Sequence, residues 1–164
     1  MPTRPDQSHA MAAKQAKSPD VAEFFQILAG RAETYARMQD DFLESIVRHR
    51  EARTGKPFRH TKRQEGFLEC FDADAVQAEK DIESVTARMD DRTLLVSAIS
   101  SECQQLELDA AMASSYRPED REMAERMIEF RRETIRLIEG FVEGSRFKGQ
   151  VASIWHAKTK NENV

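Results

Sequence analysis

The residues with the most pointed chemistry in this chain are cationic. Arg48, Arg50, Arg53, Lys56, Arg59, Lys62 and Arg63 fall within sixteen residues, with His49 and His60 among them. Between positions 46 and 64 Glu51 is the lone acid, so the stretch carries a net charge of +6. Cations at this density bind phosphates, anionic lipid or an acidic protein surface. They also complement the dipole at the C-terminal end of a helix, which needs no ligand at all. The following segment, 65–125, holds 16 acidic and 5 basic side chains, and part of this contrast is expected to neutralise itself within the fold. Phe58 is the one aromatic in the basic stretch able to stack on a base, which supports a single-strand platform poorly. A net charge of −4 for the whole chain weighs against generic DNA binding.

Other constellations point away from catalysis. The four histidines, His9, His49, His60 and His156, are scattered along the chain, and no Glu-x-x-His, His-x-x-x-His or Cys-x-x-Cys spacing occurs. No metal or cofactor is therefore expected. Cys70 and Cys103 sit within apolar helical patterns and read as reduced core thiols. No nucleophile elbow, phosphate-binding loop or dinucleotide fingerprint is present. Asp72 and Asp74 are two residues apart on a helix and do not face each other, and Glu102, Glu107 and Asp109 read as a solvated polar face. Trp155 stands in a short terminal apolar run, from which it either clips onto the fold or meets another chain. No catalytic residue is assigned, and the balance leans against an enzyme.

The elements that would position these residues are helical. Val21, Leu28, Tyr35, Phe42 and His49 recur every seven residues, and Phe25, Ala32 and Ile46 occupy positions four further on. Seven residues is close to two helical turns, so these side chains line one stripe. Ser18 is placed to cap this helix, Pro19 suits its first position, and Gly55 with Pro57 stops it near residue 54. Thr61 with Gln64 reads as a capping box for a second helix, whose face is Phe67, Phe71, Ala75, Ala78, Ile82, Val85 and Met89. The polar run Asp90-Asp91-Arg92-Thr93 contains neither Gly nor Pro. It either turns the chain or lies within one helix of about 50 residues, and typical helix lengths favour the turn. Pro118, followed by Glu119 and Asp120, opens the last long helix, with apolar rows through Met123, Met127, Ile128, Phe130, Ile135, Leu137, Phe141 and Val142.

The spacing predicts an all-α fold: an elongated antiparallel four-helix bundle with helices near 18–54, 62–90, 93–115 and 118–143, and a short C-terminal helix. The alternative is a continuous helix over 62–115 in a dimeric coiled coil. Residues 1–17 and 158–164 are expected to be flexible tails around a bundle domain at 18–157. No apolar run reaches the length of a membrane span, and Met1 to Ser18 lacks the apolar core of a classical signal, so cytoplasmic residence is expected, with leaderless export the alternative. The functional expectation is a non-enzymatic interaction or assembly module that binds a protein partner or itself. Its contact residues would be the basic segment Arg48, Arg50, Arg53, Lys56, Arg59, Lys62 and Arg63, together with Trp155. The alternatives are a nucleic-acid-associated protein using the same segment, and an enzyme or carrier with a pocket inside the bundle.

Overall fold

The computed structural model describes residues 5–59, 77 and 79–151. These form helix α1 (Pro5–Gln15), α2 (Pro19–Thr54), α3 (helical residues 79–86), α4 (Asp91–Ala113) and α5 (Pro118–Glu143), and among the described residues there is no strand. The fold class is the expected one, an all-α bundle of long helices.

The 36-residue α2 is the axis, about 54 Å long at 1.5 Å per residue. Its heptad stripe is the buried face: Val21, Leu28, Tyr35 and Phe42 are all buried, and His49 closes the row in a hydrogen bond to Asp120. Pro19 opens the helix, and Gly55 ends it in the left-handed conformation (φ 67°), donating its N–H to the Glu51 carbonyl at 2.8 Å. The Ser18 side chain makes no cap bond, contrary to expectation, and its hydroxyl instead meets Arg146.

α5 runs antiparallel to α2. Phe24 stacks on Phe141 at 4.1 Å near one end, Arg31 reaches Thr134 and the Phe130 carbonyl midway, and Arg53 meets Glu119 at the other end. α4 runs parallel to α2, since Asp91 lies against Lys17 and Ser18 while Asp109 bonds Tyr35. The main core gathers Val21, Phe25, Leu28, Leu95, Ile99, Cys103, Leu106 and Ile138, each under 2% exposed. Each such side chain contributes roughly 1.5–3 kcal/mol on burial. A second cluster of Tyr35, Phe42, Ala124 and Met127 continues toward the far end.

The chain turns rather than continuing as a single helix over 62–115, but at 87–90 and not at 90–93, since Asp91, Arg92 and Thr93 already belong to α4. The turn needs no glycine because the Asp90 carboxylate accepts the Thr93 N–H at 2.7 Å and caps α4.

One expectation at each end of the chain requires correction. Residues 5–15 are helical rather than a tail, and α1 doubles back along α2 to bury Ala12 and His9. The anchor is a distant carboxylate, Glu102, rather than local apolar residues. At the other end, residues 145–150 are turns in place of the start of a short helix, although Phe147 is buried as its apolar character suggested. Cys70, Asp72, Asp74, His60, Lys62, Arg63, Trp155, His156 and the terminal segment 158–164 lie outside the described residues.

Candidate functional site

Charged side chains in phase with apolar rows build the centre of the bundle. On α4, Glu102 falls three residues after Ile99 and four before Leu106, so helical geometry turns it inward. On α5, Arg131 falls three after Ile128 and four before Ile135. The two meet: Arg131 Nη1 donates to Glu102 Oε2 at 2.7 Å, and both residues are at most 5% exposed. Arg131 Nε also donates to Asp109 Oδ2 at 3.0 Å, and the Tyr35 hydroxyl donates to that same oxygen at 2.7 Å. The guanidinium carbon lies 4.1 Å from the Tyr35 ring centroid, a cation–π contact in a dry setting. His9 from α1 completes the set, with Nε2 2.9 Å from Glu102 Oε1. An ionised carboxylate can only accept, so the imidazole carries its hydrogen on Nε2.

The electrostatics follow from this geometry. Burial alone would raise the Glu102 carboxyl, but the His9 hydrogen bond and the Arg131 guanidinium outweigh it and hold it below its ordinary value. Burial pushes the Tyr35 phenol up to about 12, with Asp109 adding to the rise and Arg131 opposing it. The reading of Glu102, Glu107 and Asp109 as a solvated face therefore fails for Glu102, which is 5% exposed, and for Asp109, which is half-buried and bonded to two partners. The available signal was phase: a charge on an apolar row needs a charge facing it.

A second junction ties the link between α1 and α2 to the body. Asp91 Oδ1 accepts the Lys17 N–H at 2.8 Å and Oδ2 the Ser18 N–H at 3.0 Å, with Arg146 3.4 Å away. Asp91 is buried, which by itself would raise its carboxyl; the two backbone donors, the Ser18 hydroxyl contact and Arg146 together lower it.

Beside His9 lies a cavity of about 270 Å³ between α1, α3 and α4. Its floor is Phe25, Leu94 and Ala98, and hydroxyls of Ser97, Ser101 and Thr86 interrupt the apolar lining.

The basic segment sits at the opposite end of α2. Arg53 is committed to Glu119 at 2.7 Å, and His49 to Asp120 at 2.7 Å. Arg48, Arg50, Lys56 and Arg59 are exposed, and among the described residues no carboxylate pairs with them. Arg50 lies 5.6 Å from the Phe58 ring centroid, and the Phe58 N–H donates to Glu51. Of the seven expected contact residues, Arg53 is paired internally, Arg48, Arg50, Lys56 and Arg59 have no carboxylate partner among the described residues, and Lys62 and Arg63 fall outside them.

Apolar side chains are exposed toward the same end. Leu43 is 58%, Leu108 57% and Met112 52% exposed. Leu43 follows Phe25 by eighteen residues, five helical turns, and Met112 follows Leu94 by the same interval. Phe25 and Leu94 both line the cavity that α1 helps to close, so by helical phase Leu43 lies on the same side of α2 and Met112 on the same side of α4, about 27 Å further along each helix. α1, at 11 residues, spans only about 16 Å.

Among the described residues no three His, Cys, Asp or Glu side chains converge as a metal site, and no helix is long and apolar enough to cross a membrane. No family model, characterised protein or solved structure matches the chain.

Proposed function

We propose that this chain is a non-enzymatic helical interaction module that docks an acidic, amphipathic helical segment of a protein partner. The observation that carries the reading is the exposure of Leu43, Leu108 and Met112, on α2 and α4 beyond the reach of α1. Large apolar side chains held on rigid helices at helical spacing suit a helix-in-groove mode of recognition. Arg48, Arg50, Lys56 and Arg59, without a carboxylate partner among the described residues, give the rim a sign that favours carboxylates on the incoming helix. Among the described residues, His9, Glu102, Asp109, His49 and Asp120 are each engaged in hydrogen bonds within the fold, which suits a non-catalytic role. A cytoplasmic setting suits the reading, since a buried thiol such as Cys103 stays reduced there.

The test compares the wild-type chain with Leu108→Glu/Met112→Glu, by light scattering for self-association and by affinity capture from its native extract. The double variant should lose an acidic protein that the wild type retains, by about 100-fold in affinity if each side chain is worth roughly 1–2 kcal/mol. Its thermal unfolding should match the wild type. Equal capture by both proteins refutes the reading. A collapse in stability of the variant would mean that this chain fills its own groove, and a shift from dimer to monomer would mean that a second copy does. Capture of nucleic acid alone, lost in Arg50→Ala/Arg59→Ala and steeply salt-dependent, would favour the nucleic-acid reading instead.

A further inference from the structure

The cavity beside His9 has a chemistry of its own. It is about 270 Å³, large enough for a molecule of roughly ten non-hydrogen atoms, given that a 150 Å³ apolar cavity takes benzene. Its interior wall is rigid: Phe25 is 1% exposed, Leu94 3%, Ala12 5% and Ala98 6%. Ile82, Val85 and Met89 form the opposite side.

The polar lining is asymmetric in charge. Among the described residues no Lys or Arg lines the cavity, while Asp81 does, an exposed residue with one oxygen accepting the Gln77 amide at 3.1 Å. The hydroxyls of Ser8, Ser97 and Ser101 both accept and donate. Behind His9, the two carboxylates of Glu102 and Asp109 outnumber the one guanidinium of Arg131. An anion entering here would meet the Asp81 carboxylate and, among the described lining residues, no Lys or Arg to offset its lost hydration. An ammonium would find hydroxyl acceptors and one carboxylate.

We infer that this cavity is a binding site for a small amphiphilic amine, its apolar body against Phe25, Leu94 and Ala98 and its ammonium beside Asp81. The inference is independent of the docking groove, which lies some five helical turns away.

Calorimetric titration and ¹H–¹⁵N chemical-shift mapping of the full chain test it, with 2-phenylethylamine and phenylacetate as probes of matched body and opposite charge. The amine should bind at least tenfold more tightly than the acid and shift the amides of Ala98 and Ser101. Asp81→Asn should weaken the amine about threefold, the range of an exposed ion pair. Ala98→Phe, which fills the cavity, should abolish binding. If Ala98→Phe does not fold, Ser97→Phe, at an exposed position on the rim, serves the same purpose. Absence of amine binding to the wild type, equal binding of phenylacetate, or undiminished binding in the folded filling variant overturns the inference.

Discussion

Replacing Arg131 by Met removes the cation while keeping most of the side chain's length and apolar bulk. The arginine is 3% exposed and is hydrogen-bonded to Glu102 at 2.7 Å and Asp109 at 3.0 Å. Two charge-assisted hydrogen bonds at roughly 1.5–3 kcal/mol each give a loss of about 3–6 kcal/mol. Taken instead as the cost of breaking a buried ion pair by removing one partner, the loss is about 3–5 kcal/mol. The two routes agree near 4 kcal/mol, a large share of the stability of a domain this size. Urea unfolding followed by circular dichroism at 222 nm should show a lower midpoint at unchanged slope, and the thermal midpoint should fall by about 8–16 °C. The loss should also depend on pH in a defined direction. In the wild type the Glu102 carboxyl lies below its unfolded value, so its contribution is present above that value and fades as pH falls through the folded one. In the variant the guanidinium no longer opposes burial, so the carboxyl moves up from its wild-type position with the His9 hydrogen bond left to hold it down. The difference between variant and wild type should therefore narrow as pH drops toward 4. A loss under about 1 kcal/mol, or one that widens with acid, would refute the account of the network as a buried, mutually dependent set.

Two further substitutions probe the attachment of α1. His9→Ala leaves Glu102 Oε1 without its donor and should cost about 1–3 kcal/mol, with hydrogen exchange accelerating over α1 well before α5. Asp91→Ala frees the Lys17 and Ser18 N–H groups and should lower the unfolding midpoint, by about 1–3 kcal/mol. Because the Asp91 carboxyl is lowered in the fold, the wild-type advantage over this variant holds above about pH 4 and shrinks as pH falls through the folded value, which a pH series of thermal melts reads directly.

Helices were legible where apolar residues repeat, and helix ends where Pro19, Gly55 and Pro118 mark them. The turn was favoured on typical helix lengths alone and placed at 90–93, because its stop signal is an Asp90 carboxylate on the Thr93 N–H and not a breaker residue. α1 was missed for a different reason. Pro5–Gln15 carries little apolar surface of its own, and what holds it is His9 on Glu102, a partner 93 residues away. The central charges escaped notice because Glu102 and Asp109 have the composition of a surface, and only their phase with Leu95, Ile99 and Leu106 reveals the inward direction. In the basic stretch, sequence could not tell that Arg53 is spent on Glu119 while Arg50 lies over the Phe58 ring.

Rows of leucine and phenylalanine that repeat every seven residues have a weakness: slid by one heptad, much of the greasy contact re-forms. The guanidinium of Arg131 does not tolerate such a slide. It grips Glu102 and Asp109, themselves seven residues apart, so a displacement of α5 by two turns would strand one carboxylate in oil. The ionic cluster thus acts as a keyway, letting these three long rods lock at one setting and holding the short N-terminal helix to that same mark.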